Sequence, residues 1–297
     1  MPAAIIACIG GAHIDRRGIL RGPAVVGTSN PGAVRTDLGG VARNVAQNLA
    51  CLGCRVLLCS RVGDDEAGRH VLAQPLDTSL VTVSESRPTA SYTAILEPGG
   101  ELVIGLADMD VYDELTPAVL APALARLRQA AIWFLDANLP GETIDWLLTA
   151  SGRIPVAVDA VSVAKSRRLL PLLPRIDSFF CNLAQAGSLA GAPFVDLTDA
   201  ARFLRSRGAT CGIVSAGPKG IAVYDRDSIT AMPALRAAPV DVTGAGDALV
   251  SGVLYGLSRQ HDLRAAARLG LAAAAIAIES ANATAANLTL EALRARA

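Results

Sequence analysis

The stretch Asp241-Val242-Thr243-Gly244-Ala245-Gly246-Asp247 places two glycines between two carboxylates. The apolar run Ala248 to Leu257 follows it and reads as a helix. Glycines at a helix entrance let an anion approach the first-turn N–H groups, at the positive end of the helix dipole. Gly244, Ala245 and Gly246 would then form an anion hole, with Asp247 beside it. Phosphoryl transfer asks for charge stabilisation on the moving group and a carboxylate to take the acceptor hydroxyl's proton. This segment offers both, with Asp247 as the base. The alternative is a glycine loop in which Asp247 is a plain first-turn charge or cap, and the segment alone leaves both open. The chain has no GxxxxGK[ST] loop, so its phosphate site is of another kind.

A helix entrance of this sort needs a scaffold. Apolar runs at Ile5–Ile9, Val56–Cys59, Ile132–Leu135, Val156–Val158, Ser178–Cys181 and Gly212–Ser215 read as strands. Helical patterns at Val41–Leu52, Pro117–Ala130, Glu142–Ala150 and Leu197–Arg207 lie between several of them. Bare apolar strands alternating with helices predict an α/β fold with a mostly parallel sheet covered on both faces. Its ligands belong beyond the carboxyl ends of the strands. Two stretches break the rhythm. Arg16 to Leu38 is rich in Gly, Pro, Ser and Asn. In Thr89 to Leu106, two β-forming runs flank Glu97-Pro98-Gly99-Gly100 and predict a hairpin.

The 297 residues suit one large domain, and 52% hydrophobic with 18% charged residues fits a packed core. Formal net charge is zero, which provides no field for nucleic acid or an acidic membrane. The run Leu269 to Ile278 is too short to span a bilayer. The N-terminal run lacks a basic flank and reads as a strand rather than a leader. Cys51 and Cys54 form a CxxC with no second pair, so small core residues are a better reading than a zinc site. Nothing suggests a disulfide framework, and a cytoplasmic location is expected. Lys165-Ser166-Arg167-Arg168 reads as a solvated helix end.

Asp-Val-Thr-Gly-Ala-Gly-Asp before an apolar helix resembles the signature of the ribokinase-like PfkB family of sugar and nucleoside kinases. A second stretch agrees, Gly39-Gly40-Val41-Ala42-Arg43-Asn44 opening a helix near the other end of the chain. The resemblance spans essentially the whole chain and implies a three-layer α/β/α sandwich with a small β-sheet lid. The whole of 1–297 would be one kinase domain, with the lid formed from about 13–38 and 89–108. Gly-Gly-Val-x-Arg-Asn, Ser29-Asn30-Pro31-Gly32, Thr89-Ala90-Ser91-Tyr92, Ala107-Asp108-Met109 and Asp159-Ala160-Val161-Ser162 resemble the pseudouridine kinases in particular. That likeness implies ATP-dependent phosphorylation of a nucleoside 5′-hydroxyl.

By this resemblance Asp15 and Asn44 hold the ribose hydroxyls, and Gly39 and Gly40 let the sugar reach the backbone. Ser29, Ser91 and Tyr92 would face the base from the lid, with Thr93 or Ile95 beside them. Tyr92 is equally readable as a cross-strand aromatic filler. Asn182, Ser215, Gly217, Gly220 and Asn282 would border ATP, together with Thr243, Gly244 and Gly246. Mg2+ would ride mainly on the phosphates, and Asp241 and Thr243 would hold K+. Relatives often dimerise through the lid, so a homodimer is expected.

Three positions depart from the family pattern. Gln185 stands where the family has a Glu that organises Mg2+, so its metal role would be indirect. His13 replaces an Asn and reads as a structural or substrate-shaping residue. Pro218 removes one N–H from the nucleotide loop. Gln185 motivates a different reading, a nucleoside-binding protein with little kinase activity. Within the kinases, another nucleoside or a furanose sugar is the alternative acceptor.

Overall fold

Uninterrupted apolar runs pair side by side as their pattern requires. The computed structural model describes residues 4–280, 284 and 287–297. The strands among them are β1 (Ile5–Ile9), β2 (His13–Leu20), β3 (Gly32–Gly39), β4 (Arg55–Gly63), β5 (Asp77–Ser84), β6 (Ser91–Leu96), β7 (Leu102–Asp108), β8 (Ile132–Asp136), β9 (Val156–Asp159), β10 (Ser178–Asn182), β11 (Gly212–Ser215), β12 (Ile221–Tyr224) and β13 (Ile229–Met232). The large sheet runs β13-β12-β11-β10-β9-β8-β1-β4-β5. It is parallel from β11 to β5, and β12 and β13 add two antiparallel strands at one edge.

Successive side chains of a strand point to opposite faces, and each face has its own core. Ile6 and Cys8 of β1 enter one core with the helices Val41–Cys51, Ala245–Ser258 and Leu263–Ile278. Ala7 and Ile9 enter the other with Gly141–Ala150, Leu183–Ala190 and Leu197–Ser206. The helices Ala245–Ser258 and Leu263–Ile278 approach backbone to backbone. A Cβ at Gly252 would lie 2.6 Å from Leu269 O, and one at Gly270 would lie 2.7 Å from Leu249 O. This contact fixes the entrance of the helix that begins at Ala245.

β3-β2-β6-β7 form a separate four-stranded sheet. β6 and β7 are the expected hairpin, with Gly100 at φ 93° in its turn. β2 and β3 overlap the Gly/Pro/Ser/Asn-rich stretch, extend beyond both its ends and pair from His13↔Gly39 to Leu20↔Gly32. One helix departs from expectation. Pro117–Ala130 is a short helix Pro117–Leu120, a 3-10 turn Ala121–Ala123 and a second short helix Leu124–Leu127. Pro122 lacks the N–H an uninterrupted helix needs there. The basic run at 165–168 is solvated at Arg167 and Arg168, where the helix ends, but not at its first two residues. Ser162 caps the short helix Val163–Ser166, and Lys165 turns inward to bond Asn138 Oδ1.

Candidate active site

The carboxyl ends of the parallel strands gather the polar residues. Asp136 ends β8, Asp159 ends β9, Asn182 ends β10 and Ser215 ends β11. The registers Asp136↔Asp159 and Asn182↔Ser215 set them in a row. A cavity of about 160 Å³ opens there, lined by Asp159, Asn182, Gln185, Ser215, Gly246 and Asp247.

Asp136 is fully buried and accepts from three backbone N–H groups, Gly11 at 2.9 Å, Ala42 at 2.8 Å and Asn138 at 2.9 Å. It thereby fills the N-terminus of the helix Val41–Cys51, and that end is not free for an anion. Gly40 enters this helix at φ 100°, and a Cβ there would lie 2.3 Å from Gly11 O. Gly39 has a different reason to be glycine, because its Cβ would fall 2.3 Å from Asp15 Oδ2.

The helix Ala245–Ser258 begins differently. Gly244 is its N-cap at φ 77°, and no side chain caps it. Ala245 N donates to Val242 O at 3.3 Å, which leaves Gly246 and Asp247 as the first-turn donors toward the cavity. A Cβ on Gly246 would meet nothing within 4 Å. The fold therefore has no packing reason for glycine at that position, whereas a ligand pressed against the N–H would have one.

Asn44, on the helix Val41–Cys51, donates from Nδ2 to Asp247 Oδ2 at 2.8 Å. Two segments 203 residues apart in the chain meet at this bond. Burial pushes the Asp247 carboxyl up to about 8; the Asn44 bond opposes this, and the charges of Asp159, Asp136 and Asp15 add to it. Burial likewise lifts Asp159 to about 7 against a bond from Val161 N–H, with Asp136 adding to the rise. Two carboxylates pushed up by burial thus line a cavity beside the first-turn N–H groups of a helix. This donor set fits a phosphate that arrives with a divalent cation.

The smaller sheet carries further residues singled out in the sequence. Asp15 and Tyr92 are register partners on β2 and β6 and project from one face. His13 links Asp15 Oδ1, 3.2 Å from its Nε2, to the Tyr112 hydroxyl, 3.1 Å from its Nδ1. Both ring nitrogens are engaged, as befits an orienting residue. Tyr92 lies against Gly105 of β7, where a Cβ would sit 2.5 Å from its hydroxyl, so its ring fills a cross-strand gap. Ser91 is half-buried at the start of β6, whereas Ser29 is exposed in the turn before β3. The fold brings Asp15, His13, Gly39, Asn44 and Asp247 together and leaves Ser29 apart.

At the carboxyl end of β10, Asn182 and Gln185 form a reciprocal cap. Gln185 N donates to Asn182 Oδ1 at 2.9 Å, and Gln185 Oε1 accepts from Asn182 N at 2.8 Å. Gln185 Oε1 is thus engaged in helix capping. Pro218 sits in the first turn of the 3-10 helix Gly217–Lys219, where a missing N–H costs little. Gly217 and Gly220 take φ 53° and 91° around it. Thr243 is exposed, with its N–H on Asp241 Oδ1 at 2.8 Å. Asn282 lies outside the described residues.

Several polar residues carried no signal in the sequence. Arg17 of β2 donates to Asp241 Oδ2 at 2.6 Å. Lys165 is half-buried toward Asn138 and the charge of Asp136. Asp136 alone had a readable clue, a carboxylate directly after the apolar run Ile132–Leu135 at a strand's carboxyl end.

Residues 4–290 match the pfkB family carbohydrate kinases. The chain belongs to that family. A pseudouridine kinase of Escherichia coli strain K12 is 31% identical over 258 residues, 84% of this chain and 82% of that protein. A carbohydrate kinase from Agrobacterium tumefaciens superposes with TM-score 0.84 at 36% identity, covering 99% of this chain and 96% of that one. An Arabidopsis thaliana ribokinase complexed with ribose and ATP shares the fold at TM-score 0.86 and 20% identity, covering 99% and 98% of the two chains. As a PfkB member with the ribokinase-like fold, the protein is a phosphotransferase acting on an alcohol of a sugar or nucleoside. Family membership implies ATP as the donor.

Proposed function

We propose that the protein transfers the γ-phosphoryl group of ATP to the 5′-hydroxyl of pseudouridine. The Asn44–Asp247 bond at 2.8 Å carries this reading, because it sets a ribose-binding amide and a candidate base on one acceptor hydroxyl. Asp15, steadied by His13, would accept hydrogen bonds from ribose hydroxyls. Asp247 would take the 5′-hydroxyl proton as the oxygen attacks. The N–H groups of Gly246 and Asp247, just inside the Gly244 cap, would hold the phosphoryl oxygens. Mg2+ on the phosphates supplies positive charge to the transferred group, and the carboxylate of Asp159 would face it across the cavity. Asn182, Ser215, Gly217 and Gly220 would border the nucleotide. A monovalent cation at Asp241 and Thr243 would have to share Asp241 with Arg17.

The smaller sheet acts, in this reading, as a lid that excludes water from the reaction. The choice of pseudouridine rests on the wording of Gly39 to Asn44 and on the likeness to the Escherichia coli enzyme. Another nucleoside or a furanose sugar is the second reading. It is favoured by the base end of the site, where Tyr92 packs on Gly105 and Ser29 is exposed. A coupled ADP-release assay over pseudouridine, uridine, cytidine, guanosine, adenosine and ribose separates the two. The expected result is the highest kcat/KM on pseudouridine, and an equal or higher value on any other acceptor overturns the assignment.

A homodimer through the smaller sheet accords with Val34, Ile104 and Leu106, each more than half exposed on its strands. A monomer in sedimentation at micromolar concentration would refute this. A cytoplasmic location accords with six unpaired cysteines.

A further inference from the structure

Arg43 lies beside Asn44 on the helix Val41–Cys51 and is buried, at 7% exposure. Burying a guanidinium is costly without partners, and this one has three acceptors. Its Nε donates to Gln74 Oε1 at 2.8 Å. Its Nη1 donates to Leu38 O at 3.1 Å and to Asn44 Oδ1 at 3.1 Å. Adjacent residues of a helix do not ordinarily face each other, so the guanidinium has folded back onto its neighbour.

A guanidinium only donates, so it meets an amide only at the oxygen. With Oδ1 held by Arg43, the Nδ2 of Asn44 faces Asp247 Oδ2 at 2.8 Å. The flipped amide would set Nδ2 against a cation and Oδ1 against a carboxylate. Gln74 shows how strongly the guanidinium orders its surroundings. Its Oε1 serves Arg43, while its Nε2 is buried without a partner.

We propose that Arg43 is a positioning residue for phosphoryl transfer, fixing the Asn44 amide so that it presents a donor to Asp247. The role rests on the kinase reading of Asn44 and Asp247. The groups facing Asp247 are Asn44 and Arg43 from the helix Val41–Cys51, Asp15 from β2, Asp136 from β8 and Asp159 from β9. Of these, the Asn44 donor and the Arg43 charge favour the ionised carboxylate, and the three acids oppose it. Losing the donor therefore leaves Asp247 protonated to higher pH.

The test compares Arg43→Met, Arg43→Lys, Asn44→Ala and Arg43→Met/Asn44→Ala, using whichever acceptor the unaltered enzyme turns over. Arg43→Met is expected to lower kcat on the order of tenfold, with the KM for ATP within about twofold. The acid limb of its kcat–pH profile moves to higher pH. In the Asn44→Ala background the same change has little further effect, because the two residues act as one unit. Arg43→Lys keeps the charge but not the fork, and restores only part of kcat. Full restoration by Lys, or an equal kcat loss in the presence and absence of Asn44, overturns the proposal. If Arg43→Met does not fold, Gln74→Leu releases the guanidinium instead and must show the same non-additivity with Asn44→Ala. A wrong acceptor would appear as no rate in the unaltered enzyme, which is distinct from every one of these outcomes.

Discussion

Arg17 Nη1 and Asp241 Oδ2 lie 2.6 Å apart, and the bond ties the smaller sheet to the loop that leads into the Gly244 cap. Arg17 stands two residues beyond Asp15 on β2 and so shares its face of the sheet. Burial pushes the Asp241 carboxyl up, but the Thr243 N–H and Arg17 outweigh it and hold the group below its usual range. Both oxygens of Asp241 are thus committed, Oδ1 to Thr243 N and Oδ2 to Arg17. If the smaller sheet closes over the acceptor, Arg17→Met weakens closure by about 1 kcal/mol. That corresponds to about a fivefold rise in the acceptor KM. The same variant frees Asp241 Oδ2, so replacing tetramethylammonium by K+ should stimulate it more than the unaltered enzyme. Equal stimulation of both would show that Arg17 does not compete for that carboxylate.

The raised carboxylates make a stability prediction with a definite sign. An unfolded aspartate ionises near about 3.9, whereas Asp247 is pushed up to about 8 in the folded protein. Between those values the folded state keeps a proton that the unfolded state releases. The resulting stability is full below the unfolded value and lost as pH rises through about 8. Asp159 acts in the same sense, up to about 7. Asp247→Asn should therefore melt closer to the unaltered protein at pH 5 than at pH 9, where it gains. Thermal melts at the two pH values read this directly, and an equal offset at both would place the raised group elsewhere. The same variant should lose on the order of 10²-fold or more in kcat.

Two glycines of the site should respond in opposite ways to alanine. Gly246 lies inside a helix, and its Cβ would meet nothing within 4 Å. Gly246→Ala should raise stability by about 0.5–1 kcal/mol through helix propensity. It should also impair ATP turnover, because the methyl group stands where the phosphate would approach. Gly40 takes φ 100°, and its Cβ would sit 2.3 Å from Gly11 O. Gly40→Ala should cost at least about 2 kcal/mol. Chemical denaturation separates the pair, and a destabilised Gly246→Ala would mean that the fold itself requires that glycine.

Six of the seven parallel strands were legible because burial leaves each a bare apolar run, as at Ile5–Ile9 and Gly212–Ser215, whereas β5 at the sheet edge is largely half-buried or exposed and was missed. β2 and β3 were less legible. Their residues are largely half-buried or exposed, so Arg16 to Leu38 reads by its Gly, Pro, Ser and Asn content rather than by a strand period. The glycine-rich helix entrance stands out because Gly244 takes a left-handed φ and Gly246 leaves space at the first turn, with Asp247 directly beside them. Arg17 does not stand out, since its partner lies 224 residues away and either residue alone is an ordinary surface charge. Lys165 misleads for the same reason. A lysine in a basic run gives no hint that it turns toward Asn138.

Gln185 offers the sharpest test of metal use. Its Oε1 accepts from Asn182 N, and its N–H donates to Asn182 Oδ1, so the side chain closes the N-terminus of Leu183–Ala190. A glutamate can make the same cap. It would add a negative charge at the helix N-terminus, which the dipole favours. It would add that charge on the wall of a cavity already lined by Asp159 and Asp247. Without a cation, the third carboxylate raises the mutual repulsion. With Mg2+ it becomes an attraction. Gln185→Glu should therefore reach half-maximal rate at a several-fold lower Mg2+ concentration, roughly threefold for each 0.65 kcal/mol gained. It should leave the acceptor KM unchanged. A Mg2+ titration at saturating ATP and acceptor reads the shift. An unmoved midpoint would mean that residue 185 serves the helix cap and does not influence the metal.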